Sequence, residues 1–284
     1  MLIVLDVKRE KSMTLSRRLR SLFQPYEITA RVKKQNKVTV LYLCYHAYRG
    51  EIRYKKLYEY AVGAPKTILC SQELDLSRTP FRRFESNALD KCLMQNFVLH
   101  LLRETGRLSQ PLRIAYYDPM AENPAYLGKL LQETSALTVV SSMPRFYERE
   151  SERLMEQWGV PLLVTNTPEG LSNCDILIAP DTITRHLPLS ERTLVFTTAR
   201  PAVSLKGTVI YEYFPEFPYR YQRLRAQTVA EGYFLSALYS LGGVKELAGL
   251  LPEKCGDGNT LYTADRLVQR LRHLKEPQEL LCAE

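Results

Sequence analysis

Polar side chains that could hold an anionic or nucleotide ligand occur in the second half of the chain, directly after short apolar runs. A carboxylate or hydroxyl at such a position can bind the hydroxyls of a ribose, and a guanidinium matches the shape of a phosphate. The candidate ligand-binding residues are Asp118, Ser141, Ser142, Arg145, Asn166 and Asp181. We expect these residues to meet at one site if the runs before them are neighbouring parallel strands.

Acid–base chemistry has one main candidate in this sequence, and metal chemistry has none. His186 follows Asp181 and Arg185 in one predicted loop, and histidine is the side chain that most often acts as general acid or base. The four histidines form no HExxH pair, and the six cysteines form no CxxC pair. The sequence therefore predicts reduced thiols and no metal site, and it leaves open whether the protein is an enzyme.

The elements that must position these residues alternate between strands and helices. Strands are predicted at 112–117, 137–140, 160–165, 175–179, 193–197 and 209–213, and helices at 125–133, 144–159, 168–171, 219–241 and 263–274. Strands that alternate with helices and read as continuous apolar runs favour a parallel sheet covered on both faces. The best fit is a Rossmann-like, doubly wound α/β sheet with strand order 3-2-1-4-5-6, and the flavodoxin-like order is the alternative.

The turn after the first strand of this sheet differs from the turn of an ordinary dinucleotide site. In such a site the sequence GxGxxG lets the backbone approach a pyrophosphate. Residues 117–124 read YDPMAENP and contain no glycine, and Asp118 and Glu122 add negative charge close to where phosphates would bind. Ordinary dinucleotide binding is therefore disfavoured, and the identity of any cofactor stays open.

The turn after the second strand favours NADP over NAD if a dinucleotide binds at all. An NAD site needs an acidic residue there for the ribose hydroxyls, whereas this chain has Ser141, Ser142 and Arg145, which could hold a 2′-phosphate. In the alternative interpretation Ser142 caps the following helix, and Arg145 is a solvated residue of its first turn.

Two segments resemble the cofactor domain of shikimate dehydrogenase and glutamyl-tRNA reductase. Residues 173–180, NCDILIAP, are similar to the family's fourth strand, which ends in a small residue and proline. Residues 227–234, QTVAEGYF, are similar to the dehydrogenase helix whose Gln contacts the substrate. The resemblance covers about residues 111–243 and implies a substrate-binding role for Gln227 at an interdomain cleft. The family's glycine-rich turn and the motifs that supply its catalytic Lys and Asp are absent, so the chain resembles a degenerate relative.

The N-terminal part of the chain carries the positive charge. Residues 1–110 contain 21 Lys and Arg against 10 Asp and Glu, and they predict a small α+β domain. Its predicted elements are a helix at 16–23, a strand at 2–7, a hairpin of 27–32 and 38–45 that turns at Gln35-Asn36, a strand-like stretch at 51–60, and a helix at 86–104.

Six tyrosines between Tyr42 and Tyr60 alternate with Arg, Lys and His. Aromatic and cationic side chains on one β surface are typical of sites for single-stranded nucleic acid, although alternate tyrosines of a strand can equally face a core. Residues 42–60 are therefore a candidate nucleic-acid interface.

The length of 284 residues favours two domains, which we place at 1–110 and 111–284. The composition, with 45% hydrophobic and 25% charged residues, is that of an ordinary globular protein. No apolar run reaches the roughly 18 residues of a membrane span, and the N-terminus lacks the pattern of a secretory signal, so we expect a cytoplasmic protein without a membrane partner.

Three functions agree with these observations. The leading hypothesis is a protein that binds a small anionic or nucleotide ligand in an interdomain cleft, without a standard dinucleotide fingerprint. The second is an NADP-dependent oxidoreductase related to shikimate dehydrogenase. The third is a non-catalytic binding module whose basic N-terminal domain contacts nucleic acid or an acidic partner.

Overall fold

The computed structural model describes residues 1–9, 22–48, 52–61, 66–106, 111–134, 137–159 and 161–275. The helix predicted at 16–23 lies outside these residues, apart from its last two positions. The chain divides into two compact units, one formed by Met1–Leu89 with Phe217–Ala248 and the other by Asp90–Glu216 with Gly249–Glu284.

A three-stranded sheet forms the centre of the first unit. Its strands are β1 (Leu2–Arg9), β2 (Tyr26–Gln35) and β3 (Val38–Ala47), in the order β1-β3-β2, with β1 parallel and β2 antiparallel to β3. The predicted hairpin is confirmed. Its two turn residues are Asn36 and Lys37, one position later than predicted, and both have the positive φ that a tight two-residue hairpin turn requires.

The strand predicted at 51–60 is wrong, because Tyr54–Tyr60 forms a helix, α1. Leu57 and Ala61 are both buried in the hydrophobic core of this unit. Their spacing of four residues is a helical period, and the alternating tyrosines concealed it in the sequence. Two short parallel strands, β4 (Thr67–Ile68) and β5 (Arg82–Arg83), complete this part of the chain.

The long helix predicted at 219–241 is also wrong. The chain forms a 3₁₀ helix at Tyr219–Leu224 and an α-helix, named α5 here, at Glu231–Ser240, with an irregular stretch between them. The hydroxyl of Tyr42 donates a hydrogen bond to the carbonyl of Leu224, which holds the end of the 3₁₀ helix against β3. The β-branched pair Thr228-Val229 then weakens any helical continuation.

The second unit is built on a six-stranded sheet in which every pairing is parallel. Its strands are β6 (Ile114–Tyr117), β7 (Leu137–Val140), β8 (Leu162–Thr165), β9 (Ile176–Ala179), β10 (Leu194–Thr197) and β11 (Thr208–Ile210). Their spatial order is β11-β10-β9-β6-β7-β8, which is the order 3-2-1-4-5-6 of a Rossmann-like fold. The predicted fold class is therefore confirmed, and the flavodoxin-like alternative is excluded.

Helices and a small antiparallel sheet accompany the parallel sheet. The helices are α2 (Ala88–Thr105), α3 (Leu127–Leu131), α4 (Pro144–Trp158) and α6 (Ala264–Lys275), and the small sheet contains β12 (Glu212–Pro215), β13 (Pro252–Gly256) and β14 (Leu261–Tyr262). As predicted, α4 begins with Pro144, and Gly159 ends it in a left-handed conformation with φ of 68°. Within the described part of the chain, no helix is both long enough and apolar enough to cross a membrane.

The first turn of α2 contains a carboxylic acid that folding removes from water. Burial raises the pKa of Asp90 to about 6. Aspartate in an unfolded chain ionises near pH 3.9, so between these two values the folded protein holds a proton that the unfolded chain has lost. The corresponding contribution to stability is complete below about pH 4, and it is lost as the pH rises through about 6.

Substitution of Asp90→Asn removes this ionisation. The variant should become more stable relative to the wild type as the pH rises from 4.5 to 7.5, by about 1–3 kcal/mol in the free energy of unfolding. Urea unfolding at a series of pH values measures the difference. Asp75→Asn is the control: a hydrogen bond from the backbone of Ser77 lowers the pKa of Asp75, so this carboxyl titrates below the pH range tested and the difference from wild type should stay nearly constant. A difference between Asp90→Asn and wild type that does not change with pH would contradict the assignment.

Candidate functional site

The residues predicted to bind a ligand lie mainly at one edge of the parallel sheet. Asp118 follows β6, Ser141 follows β7 and Asn166 follows β8, and Asp181 comes two residues after β9. Because these four strands are neighbours and all parallel, their carboxyl ends lie along the same edge.

Asp118 is fully buried, and its carboxylate is held by three hydrogen-bond donors. One oxygen accepts the backbone N–H of Glu122 at 3.1 Å. The other accepts the backbone N–H of Asn123 at 2.8 Å and the hydroxyl of Tyr147 at 2.6 Å. Burial, together with the hydrogen bond to Asp118, raises the pKa of Tyr147, so its hydroxyl remains a donor. The carboxylate thus takes up backbone donors of the kind that a dinucleotide turn offers to a phosphate.

The turn closed by Asp118 has a backbone conformation that usually requires glycine, although this turn contains none. Ala121 has a φ of 55°, in the left-handed region that disfavours side chains by about 1–2 kcal/mol. Its backbone N–H donates to the carbonyl of Asp118 at 3.2 Å. The hydrogen bonds to the Asp118 carboxylate offset this strain, since each charge-assisted bond contributes about 1.5–3 kcal/mol.

A second polar group joins this turn to Asp181. The amide of Asn123 donates to the Asp181 carboxylate at 3.1 Å, and Lys91 on α2 forms an ion pair with Asp181 at 2.6 Å. Lys91 also donates to the amide oxygen of Asn123 at 3.3 Å. The structure therefore brings Asp118 and Asp181 into one hydrogen-bonded network through Asn123. Sequence reasoning missed Lys91, Asn123 and Tyr147, because no local pattern connects α2 or the interior of α4 with this turn.

The serines after β7 support the same turn from the other side. Ser141 is buried, and its hydroxyl accepts the N–H of Met143 at 3.1 Å. The backbone N–H of Ser142 donates to the carbonyl of Pro119 at 3.1 Å. The N-cap residue of α4 is Met143, which makes no side-chain capping bond, so the alternative interpretation of Ser142 as the cap is wrong.

The side chains of the remaining predicted residues are not drawn into this network. Ser142, Arg145, Asn166 and His186 are exposed to solvent. Gln227 belongs to the other compact unit, in the turn before α5. The predicted interdomain cleft and its set of ligand-binding residues stay a prediction.

A concave basic surface lies on the first unit, where one face of its sheet is polar. Successive residues of β3 alternate: Leu41, Leu43 and Tyr45 are buried in the core, and the residues between them face the other way. This second face lines a cavity of about 420 Å³ together with the turn before α5. The lining residues used below are Asp6 and Lys8 from β1, Thr29, Arg31 and Lys33 from β2, Tyr42, Cys44 and His46 from β3, and Arg225, Gln227 and Thr228.

A second cavity, of about 870 Å³, adjoins the first and shares Lys33, Arg225 and Gln227 with it. Lys34, Arg223 and Glu231 also line it. The two cavities together are lined by six Lys and Arg side chains and two carboxylates, so the surface has a clear excess of positive charge. We name it the basic surface.

The six tyrosines of residues 42–60 do not share one β surface, which removes the arrangement on which the nucleic-acid hypothesis depended. Tyr42, Tyr45 and Tyr48 lie on or next to β3, and Tyr54, Tyr58 and Tyr60 lie on α1. Tyr45 is buried and stacks on Tyr26 with ring centroids 5.4 Å apart.

Metal binding finds no support in the described residues: nowhere among them do three or more His, Cys, Asp or Glu side chains meet in a way that could hold a metal ion.

Comparisons with known proteins give structural likeness only. No family model matches the chain, and no curated protein matches it. Similar solved structures include shikimate dehydrogenase in complex with NADP⁺, which is 11% identical, has a TM-score of 0.31 and aligns over 97% of this chain and 96% of its own. Quinate dehydrogenase from Corynebacterium glutamicum in complex with NAD is 10% identical, with a TM-score of 0.30 and coverage of 70% and 80%.

Δ1-pyrroline-2-carboxylate reductase from Thermococcus litoralis, in complex with NADH and L-proline, is 13% identical, with a TM-score of 0.29 and coverage of 70% and 68%. Shikimate dehydrogenase, the family that the sequence resembles, is among these solved structures. The assignment of a Rossmann-like domain itself follows from the strand order of the parallel sheet.

Substitution of Asp118→Asn tests the part that its carboxylate plays in this turn. An amide cannot accept at both positions, and its NH₂ group would face a backbone N–H, so the free energy of unfolding should fall by about 2–3 kcal/mol. Chemical denaturation measures the loss. Glu148→Gln, at an exposed position of α4, is the matched control and should stay within about 0.5 kcal/mol of wild type. An equally small effect for Asp118→Asn would show that the carboxylate does not hold the turn.

Proposed function

We propose that the protein binds a small anionic ligand on the basic surface of its first unit. The observation that carries the proposal is the pair of adjoining cavities, lined by six cationic side chains and two carboxylates. Cavities of roughly 300–1,000 Å³ are of the size that small-molecule sites have. Clustered cations around a concavity raise the local concentration of anions and direct them into it.

The carboxylates of the basic surface are each paired with one cation, and this leaves most of the positive charge for a ligand. Asp6 lies 3.6 Å from Lys8, and Glu231 lies 2.7 Å from Arg225. Among the described residues, Arg31, Lys33, Lys34 and Arg223 form no ion pair with a carboxylate. Arg31 can hold a carboxylate or phosphate through two parallel hydrogen bonds, and the lysines add point charges.

Neutral hydrogen-bonding groups on the same surface support a specific ligand rather than a diffuse ion atmosphere. Gln227 lines both cavities, and Thr29 and Thr228 line the smaller one. The resemblance to shikimate dehydrogenase implied a substrate-binding Gln227 at an interdomain cleft, and that placement stays a prediction. Its position beside the cations of the basic surface supports a ligand-binding role on this unit. Hydroxyl and amide groups beside cations fit a hydroxylated or carbonyl-containing acid.

The hydrogen bonds of Asp118 at the edge of the parallel sheet also favour an anion-binding site elsewhere than the turn after β6. A dinucleotide that placed its pyrophosphate there would have to displace the buried Asp118 carboxylate from three donors. The preference for NADP over NAD rests on Ser141, Ser142 and Arg145 and stays a prediction, which parallel titrations with NADPH and NADH can test. No nucleic-acid partner is proposed.

The double variant Arg31→Gln with Lys33→Gln tests the basic surface. Titration calorimetry with citrate and with inorganic pyrophosphate, at low and at physiological salt, measures anion binding. Loss of the two cations should weaken binding at least tenfold, which corresponds to about 1.4 kcal/mol, and should reduce its salt dependence.

The matched control removes the same charge elsewhere on the unit. Lys55→Gln with Arg78→Gln changes two exposed side chains outside both cavities and should bind as wild type does. Equal weakening in the two double variants would mean that only net charge matters, and unchanged binding in both would overturn the proposed site.

A further inference from the structure

The smaller cavity of the basic surface contains a thiol and an imidazole in contact. Cys44 and His46 are two residues apart on β3, so their side chains project from the same face of the sheet. The Cys44 Sγ lies 3.2 Å from the His46 Nε2. Both side chains are partly exposed, and both line the cavity. A nucleophile and a base within hydrogen-bonding distance in an accessible concavity form the basic unit of covalent catalysis.

Partial burial and the neighbouring carboxylate of Asp6 favour the protonated form of the resting sulfur. Asp6 pairs with Cys44 in the register of β1 and β3, and its carboxylate accepts a hydrogen bond from the Cys44 thiol at 3.8 Å. Burial, followed by the charge of Asp6, raises the pKa of Cys44, while Lys8 and Arg31 oppose the shift. Glu27 lies opposite His46 on β2 and accepts a hydrogen bond from Tyr48. Because the thiol is the resting form, a base must take its proton when it reacts, and His46 is in position to do so.

We propose that Cys44 and His46 form a nucleophilic site that accepts an acyl group from an activated, anionic carboxylic acid derivative. The proposal rests on the proposed function, since the cations of the basic surface hold the anionic end of the substrate. Thiols react readily with activated acyl carbons, and the reaction needs no metal, oxidant or cofactor.

Acyl transfer to Cys44 needs only the two side chains and the substrate. The thiol proton moves to Nε2 of His46 as Sγ forms a bond to the acyl carbon. The bond from that carbon to the leaving group then breaks, and the leaving group departs with the bonding electrons and takes the proton from His46. The product is an S-acyl cysteine, which water or an acceptor alcohol or amine can resolve, with His46 acting as base a second time.

Acylation by two aryl esters tests the site on the full chain. Mono-para-nitrophenyl succinate is anionic and para-nitrophenyl acetate is neutral, and each releases nitrophenolate when it acylates the protein. Peptide mass spectrometry then locates the adduct. We expect acylation of Cys44 by the succinate to exceed that of Cys92, another partly exposed thiol, at least tenfold, and we expect the advantage to shrink as salt rises.

Three variants and one control variant separate the two proposals. Cys44→Ser should abolish the adduct at this position, and His46→Gln should slow acylation by both esters at least tenfold. Arg31→Gln with Lys33→Gln should slow the reaction with the succinate much more than the reaction with the acetate, because loss of Arg31 also raises the pKa of Cys44 and so affects both esters. Lys55→Gln with Arg78→Gln should change neither.

Failure of the nucleophilic site and failure of the anion-binding site would give different results. Unchanged rates in His46→Gln, or modification of Cys44 no faster than that of Cys92, would overturn the nucleophilic site while anion binding by calorimetry still stood. An unchanged preference for the succinate in Arg31→Gln with Lys33→Gln would instead count against the proposed function. Circular dichroism of each variant checks that the fold is retained. In a folded variant, a slow reaction then reflects the loss of the substituted side chain's role in acylation.

Discussion

A buried carboxylate must find hydrogen-bond donors, and in this protein Asp118 finds them in the turn that follows the first strand of the parallel sheet. A Rossmann-like fold supplies that turn with backbone N–H groups directed toward an anion. In most such folds the anion belongs to a ligand, whereas here it belongs to the chain. Three features accompany this placement of the Asp118 carboxylate: the left-handed backbone of Ala121, the contacts from the serines after β7, and the hydrogen bond from Asn123 to Asp181.

Because Asp118 occupies this turn, the Rossmann-like fold of the protein does not by itself imply dinucleotide binding. The parallel sheet has the strand order of a dinucleotide-binding fold, but its first turn is satisfied internally. The accessible positive charge lies instead on the polar face of the N-terminal sheet, around Arg31 and Lys33. A thiol–imidazole pair lines the same cavity, so the proposed reactive pair and the cations Arg31 and Lys33 of the proposed binding site lie on strands of the same sheet.

Much of the fold could be predicted from the sequence because its strongest signals are local. Continuous apolar runs gave the parallel strands, and the alternation in β2 and β3 gave the hairpin. The errors occurred where tertiary contacts decide: α1 is helical because Leu57 and Ala61 enter the core together, and residues 219–241 break where Tyr42 binds the carbonyl of Leu224. The candidate site was harder to predict, since the cavity joins residues of β2 and β3 to a turn almost two hundred positions later in the chain, and no spacing in the sequence reports that contact.

A crystal structure with bound inorganic pyrophosphate tests the central claim most directly, because it locates the anion. If Asp118 occupies the turn after β6 and the basic surface binds the ligand, pyrophosphate will lie against Arg31, Lys33 and Gln227, and the Asp118 carboxylate will keep its bonds to Glu122, Asn123 and Tyr147. Pyrophosphate bound to the backbone N–H groups of Glu122 and Asn123, with the Asp118 side chain displaced, would contradict the account.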